Sequence, residues 1–403
     1  MDLTWSDSEE AFRAEARAWL EDNAPGDLGS GDTREGFARH LEWERLLFRD
    51  RWSVVSWPRQ LGGRGASVWE WLIFEEEYYR SGAPQRVTQN GIFLLAPAIF
   101  QFGTPDQQAS ILPRMAAAED LWCQGWSEPG AGSDLAALTS RAERVEGGSG
   151  GLGGGSGAGG GTAGAEGSGW LLNGQKTWTT RGAFCTHLSG LFRSEAGSER
   201  HRGLTYLLVP LSLPGITVRG FGRLDGDEGF AEVFFDDVFL PDESPFGSWV
   251  LGTPANGWSV AMATTGSERG LTLRSPGRFT ATATRLVDAW LASGSADGAL
   301  RDRIVRAVMR TEAYRLFTLQ AVTALATGRT AGAESSINKI WWSELDVELH
   351  SCALDLLGPD AELEGPWSKA WQFSLAGPIY AGTNEIQRDI AAERLLSLPR
   401  SRR

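Results

Sequence analysis

Trp170-Leu171-Leu172-Asn173-Gly174-Gln175-Lys176-Thr177-Trp178-Thr179-Thr180 is the stretch on which the reading of the chain turns. It reads as two short strands around an Asn-Gly turn, because Asn-Gly between strand-forming residues is a strong signal for a tight reversal. Leu204 to Val209 is a second, strongly apolar strand candidate. Ala231-Glu232-Val233-Phe234-Phe235 is another, closing on Asp236-Asp237-Val238-Phe239-Leu240-Pro241. Several strands in succession point to an antiparallel β domain, set here at residues 122–246.

Outside that domain the period changes from strand to helix. Ser6 with Glu9 resembles a capping box, and Phe12, Ala16, Trp19 and Leu20 follow at helical spacing. Residues 36–50 repeat the pattern through Phe37, Leu41 and Leu47. Residues 68–80 carry Glu75-Glu76-Glu77 among large apolar residues, which reads as a helix with one wet and one buried face. Gly103-Thr104-Pro105 reads as a turn into a further helix. Residues 1–121 therefore form an N-terminal helical domain. Residues 247–403 are helical again: Ile337, Trp341, Leu345, Leu349, Cys352 and Leu356 mark one buried helix face. Ala313, Leu316, Phe317, Ala321, Ala324 and Leu325 mark another, and a final helix starts near Ile386 and runs to Pro399. A helical bundle fits this segment. Residues 147–169 are nearly all Gly, Ser and Ala, so they read as a loop inserted in the β domain. No strand-loop-helix context or terminal Lys makes them a phosphate loop.

Composition bounds the function. The 403 residues are 41% hydrophobic and carry a net charge of -13. An acidic surface speaks against general nucleic-acid binding. The three cysteines are far apart and form no metal-ligand spacing, so no metal site is expected. With an acidic N-terminus and no long apolar run, neither a signal peptide nor a membrane span is expected, and the scattered cysteines suit a reducing cytoplasm.

Four short motifs carry chemistry. Gln124-Gly125-Trp126-Ser127-Glu128-Pro129-Gly130-Ala131-Gly132-Ser133-Asp134 combines small residues with hydroxyls, which lets backbone amides approach a flat or phosphorylated ligand. Lys176-Thr177-Trp178-Thr179-Thr180 offers an aromatic face and a hydroxyl for a conjugated ring. Gly266-Ser267-Glu268-Arg269-Gly270 places a carboxylate in a region otherwise poor in acids. Ile379-Tyr380-Ala381-Gly382-Thr383-Asn384-Glu385-Ile386-Gln387-Arg388 takes a glycine turn into a helix capped by threonine. Each has a plainer reading alone: an irregular loop, a half-buried strand, a surface ion pair, a capped helix.

Together and in this order, the four resemble the acyl-CoA dehydrogenase family from about residue 5 to the C-terminus, apart from the glycine-rich insert. The resemblance implies an N-terminal helical domain, a β-barrel-like middle domain and a C-terminal four-helix bundle, with FAD as cofactor. It implies FAD contacts at Gln124, Trp126, Ser127, Gly132, Ser133, Thr383, Asn384 and Glu385, with Trp178 and Thr180 covering the isoalloxazine ring. Ser133, Arg269 and Gly382 fall at positions near an acyl-CoA substrate. The implied reaction makes a trans-2-enoyl thioester in lipid metabolism, a carboxylate removing the α-proton while the β-hydrogen leaves to the flavin. An electron-transferring flavoprotein is the implied electron acceptor.

Many members carry the base at the position of Ala381, which cannot accept a proton. A subgroup carries it before an arginine in the first long helix of the C-terminal domain, and Glu268, followed by Arg269, matches that place. The R-x-x-F-G segment through which many homotetrameric members grip a neighbour's FAD is replaced by Ala292-Ser293-Gly294-Ser295-Ala296. The usual Q-x-x-G-G is reduced to Asp355-Leu356-Leu357-Gly358-Pro359. An oligomer is expected, of one chain or of two related chains. Two other readings stand beside the leading one: a non-catalytic or half-site subunit of a mixed oligomer, and a flavin oxidase or monooxygenase on the same fold.

Overall fold

Several helices begin where capping residues stand. In a computed structural model that describes residues 4–146, 167–268 (backbone only at 266–268), 275–327 and 332–399, α1 (Asp7–Asn23) follows Ser6. Its hydroxyl accepts from Glu9 N while the Glu9 carboxylate accepts from Ser6 N. α2 spans Arg34–Arg49. α3 (Val68–Arg80) starts from the same device, built from Ser67 and Glu70. α4 (Ala96–Phe102) precedes α5 (Pro105–Ala116), which Thr104 and Gln107 cap in the same reciprocal way with Pro105 in its first turn. The strands follow: β1 (Trp122–Gly125), β2 (Arg141–Val145), β3 (Gly169–Thr180), β4 (His187–Arg193), β5 (Leu204–Pro210), β6 (Ile216–Phe221) and β7 (Phe230–Pro241). The chain then returns to helix in α6 (Gly257–Glu268), α7 (Pro276–Ser293), α8 (Gly298–Ala326), α9 (Glu334–Leu357), α10 (Pro366–Ser374) and α11 (Asn384–Arg394). No described helix is long and apolar enough to cross a membrane.

The chain divides into two compact units. The β unit takes Asp32–Glu44 and Val87–Thr264, and the helical unit takes Met1–Gly31, Arg45–Arg86 and Thr265–Arg403. In the β unit the sheet runs β1-β4-β2-β3-β7-β6, with β5 joined to β4. It is mixed where an antiparallel sheet was expected: β1 runs parallel to β4, and β2 touches β4 in the parallel sense. The Asn-Gly pair is also not a reversal. β3 continues through it for 12 residues along β7, with a register shift between Leu172 and Gly174. Gly174 has φ +138°, and a Cβ there would lie 2.4 Å from the Ser140 hydroxyl. Asn173 exchanges side-chain and backbone hydrogen bonds of 3.0 Å with Asp237 opposite. A bulge replaces the turn because β2 and β7 flank β3 on both sides, and two ladders outweigh one isolated hairpin. Leu172, Leu188, Leu207, Val233 and Val238 fill the fully buried core of this unit.

In the helical unit α9 is packed by α7, α8, α10 and α11 and is buried on most sides. Its two buried charges have partners: Asp346 faces Arg278 at 2.9 Å, and Lys339 donates to Asn384 Oδ1 at 2.7 Å. On α8 the buried face carries Thr311, Tyr314, Thr318, Leu319 and Val322, while Leu316 and Leu325 are exposed. The expected apolar face is thus rotated. Threonine enters a core when its hydroxyl turns back to its own helix, as Thr311 does to Ala307 O at 2.9 Å. α3 packs against α1 and α7. A Cβ on Gly277 would come within 2.8 Å of the Glu75 carbonyl, so glycine lets the two backbones meet.

The acidic run on α3 is the largest departure from its sequence reading. Glu75 and Glu77 are both buried. Glu77 accepts from Arg13, Arg17 and Arg80. Burial works to raise its carboxyl, but these donors win and hold it at about 2. Burial wins at Glu75, whose carboxyl rises to about 7 despite the charge of Arg86. α11 stops at Arg394, short of Pro399.

Candidate active site

The loop that leaves β1 is fastened from beneath. Gln124 and Gly125 end β1, and Trp126 buries its indole while donating to the Tyr206 hydroxyl at 3.3 Å. Ser127 O accepts from Thr177 N at 2.9 Å, which joins the loop to β3. Glu128 turns inward and meets the fully buried Lys176 at 2.8 Å. The same carboxylate accepts from Thr139 N and Oγ1 and from Ser140 N. Burial acts to raise Glu128, but Lys176 and these donors pull it to about 2. Burial lowers Lys176 to about 8 against the pull of Glu128. The two shifts disagree over which partner yields. Four donors on one carboxylate decide for an ionised pair at neutral pH. Beyond Glu128 the loop opens: Gly130, Gly132 and Ser133 are exposed, and a Cβ on either glycine would meet nothing within 4 Å.

Where β3 ends, its backbone is bent out of strand geometry. A second register shift lies between Lys176 and Thr179, and Trp178 within it has φ +57°. A bulky residue at positive φ is an outlier held by its surroundings, and such strain collects at functional sites. The indole is 61% exposed and stands edge-on to Phe221 and Phe230. Thr179 is buried, and its hydroxyl has no protein partner. Thr180 is half-buried, and its carbonyl accepts from Asn90 Nδ2 at 3.5 Å. Arg181, also at positive φ, is buried against Asp32 at 2.7 Å. Arg223 holds the second oxygen of Asp32. Burial alone would raise Asp32, but the two guanidiniums lower it below the ordinary carboxylate value.

The helical unit carries the remaining motif residues. Thr383 caps α11, its hydroxyl accepting from Ile386 N at 3.3 Å. Asn384 is buried, accepting from Lys339 and Ser343 and donating to Glu344. Glu385 is exposed, and its own backbone N–H and the Thr383 hydroxyl lower its carboxyl. Ala381 and Gly382 both have positive φ, and Gln387 Nε2 donates to the Ala381 carbonyl at 2.9 Å. Glu268 is the last residue of α6. Arg269 lies outside the described residues, as do residues 147–166 of the glycine-rich insert. Gly169, read as part of that insert, instead begins β3.

Three family models tile the chain. The acyl-CoA dehydrogenase N-terminal domain matches residues 6–119, the middle domain 123–238 and the C-terminal domain 255–396. The acyl-CoA dehydrogenase IpdE1 of Mycolicibacterium smegmatis is 38% identical over 410 residues, covering 96% of this chain and 97% of the relative. The chain belongs to the acyl-CoA dehydrogenase family.

IpdE1 of Mycobacterium tuberculosis is 37% identical to this dehydrogenase over 97% of the chain and 98% of the relative. Among solved structures, the Tcur3481-Tcur3483 steroid ACAD matches with a TM-score of 0.82 at 24% identity, covering both chains fully. The ChsE4-ChsE5 complex from Mycobacterium tuberculosis matches with a TM-score of 0.78 at 25% identity, again over both full chains.

The family is FAD-dependent, and the β unit of this dehydrogenase fits such a group. It offers an exposed indole face on a strained bulge, a buried hydroxyl without a protein partner at Thr179, and an open glycine-serine loop. The sequence reading had the loop and the Trp178 motif but neither the bulge nor what braces them. Lys176 stood in one of the motifs, but nothing local showed that its side chain is buried on Glu128. Asp32, more than a hundred residues from Arg181, left no local signal.

Proposed function

We propose that this chain dehydrogenates the α,β bond of an acyl-CoA thioester, with FAD as cofactor and Glu268 as the base. The observation that carries the reading is Trp178, kept exposed by a left-handed bulge at the end of β3. Gln124, Trp126, Ser127, Gly132, Ser133, Trp178, Thr180, Thr383, Asn384 and Glu385 are the proposed cofactor contacts. FAD, when bound, supplies an acceptor for two electrons. The residues of the chain do the rest. Glu268 takes the proton from the substrate α-carbon, and Ala381 leaves the other family position without a base. Ser133, Arg269 and Gly382 orient the thioester. An electron-transferring flavoprotein is the proposed acceptor of the electrons.

A mixed oligomer is the form this reading favours. Between α7 and α8 the chain has Gly294, Ser295 and the cap Asp297, with no arginine to offer a neighbouring site. The ChsE4-ChsE5 relative is itself a complex of two chains. The test is anaerobic mixing of the flavin-loaded protein, alone and with a related partner chain, with acyl-CoA thioesters of graded length and branching. Bleaching of the flavin with formation of the enoyl thioester is expected. A loaded protein that no acyl-CoA bleaches, with or without a partner, refutes the proposal.

A further inference from the structure

Trp178 does not hold its own direction. Its backbone is left-handed, a region tryptophan leaves readily when free, and most of its ring is in solvent. The contacts that orient it come from two phenyl rings on other strands. The Phe221 centroid is 5.2 Å from the indole at 81°, and the Phe230 centroid is 5.5 Å away at 82°. Those two rings lie nearly parallel to one another, at 28° and 6.1 Å. They are cross-strand partners in the β6–β7 ladder, and Phe230 is also the partner of Thr180 in the β3–β7 ladder. One residue of β7 therefore sits in register with Thr180 while its ring supports Trp178. Arg181 N donates to Gly229 O at 2.9 Å and closes the same end.

We infer that Phe221 and Phe230 are positioning residues: a two-ring footing that fixes the face of Trp178 presented to the flavin and keeps it in register with Thr180. The inference rests on the FAD reading proposed above. Neither phenyl ring touches reacting atoms; both act through the indole. An edge-to-face aromatic contact biases an orientation between about twofold and tenfold, so each ring should matter to cofactor affinity by that factor.

The test is a double-mutant cycle on the full chain, read as FAD affinity. Apoprotein is titrated with FAD, and the dissociation constant and fluorescence of the bound flavin are recorded for wild type, Phe230→Leu, Trp178→Ala and the double variant. Phe230→Leu should weaken FAD between about twofold and tenfold and brighten the bound flavin, because the indole no longer lies against it. Phe230→Tyr, which keeps the ring, should restore both values. In the Trp178→Ala background Phe230→Leu should change the dissociation constant less than about twofold, since the residue through which it acts is gone. Equal costs in both backgrounds, or no cost in either, overturn the inference. Should Phe230→Leu fail to fold, Phe221→Leu on the neighbouring strand carries the same cycle. A wild-type chain that takes up no FAD in any preparation overturns the cofactor reading and this inference with it. A wild type that binds FAD, with additive effects, overturns the inference alone.

Discussion

Replacing Glu128 with Gln keeps the shape of the side chain and removes one charge of a buried pair. Lys176 is then left fully buried with the Trp126 carbonyl at 3.4 Å and a neutral amide oxygen in place of the carboxylate. Removing one partner of such a pair costs about 3–5 kcal/mol, because the other charge stays desolvated. Lys176→Met should cost less, about 1.5–3 kcal/mol, since Thr139 and Ser140 still donate to the carboxylate. In the double variant Glu128→Gln/Lys176→Met no charge is stranded. Its total cost should therefore fall below the sum of the singles by at least about 2 kcal/mol. Urea unfolding at pH 7, followed by tryptophan fluorescence, measures all three. Because Ser127 O is bonded to Thr177 N beside the pair, FAD content should fall in parallel with Glu128→Gln. The pH dependence has a fixed sign. Glu128 lies at about 2 in the fold against an ordinary value of 4.5, so its contribution is complete above pH 4.5 and is lost as pH falls toward 2. Additive single costs, or a Glu128→Gln cost below about 1 kcal/mol, would refute the clamp.

Three other outcomes are expected. Glu268→Gln should retain FAD and bind acyl-CoA yet slow flavin bleaching by about 10²–10⁴-fold, and full-rate bleaching in stopped flow would remove it as the base. Glu75→Gln should raise the melting temperature at pH 8. With the Glu75 carboxyl at about 7, the fold holds a proton the unfolded chain has already lost, so its stability falls as pH rises from 4.5 through 7, by up to about 3 kcal/mol. Equal melting temperatures of the two proteins at pH 5 and pH 8 would contradict this. Replacing residues 147–166 with a two-residue turn should leave melting temperature and flavin content nearly unchanged, because loop-closure entropy varies slowly with length. The excision stops before Ser168, whose hydroxyl bonds Asp242, and a large loss of either property would give the insert a structural role.

Local chemistry was legible in the sequence, and long-range pairing was not. Ser6 and Thr104 announce helices because a cap and its partner lie three residues apart. Leu204 to Val209 is a strand because its apolar run needs no partner to be recognised. The Asn173-Gly174 pair misleads, since whether it turns or bulges depends on β7, far along the chain. The acidic run misleads for the same reason: Arg13 and Arg17, on another helix, take Glu77 out of water. On α9, Lys339 and Asp346 count as polar in any periodicity, yet both are buried because Asn384 and Arg278 reach them. At the candidate site the four motifs stand out as local sequence. The φ of Trp178, the footing of Phe221 and Phe230 and the pin of Asp32 are properties of the assembled sheet.

The membership of α1 and α3 in the helical unit sets an order of events during synthesis. Ile73 and Phe74 on α3 and Leu20 on α1 are buried, and α3 packs on α7. Yet α7 is translated only after every strand of the sheet. At about 5–20 residues per second, the first helices wait on the order of ten to forty seconds for it. The sheet, whose strands are complete before α6, can close during that interval. The face of α3 that packs on α7 meanwhile lacks its cover at the ribosome. Slowed translation between α3 and α7, or shortage of a nascent-chain chaperone, should therefore lower the yield of folded dehydrogenase without touching its mature stability.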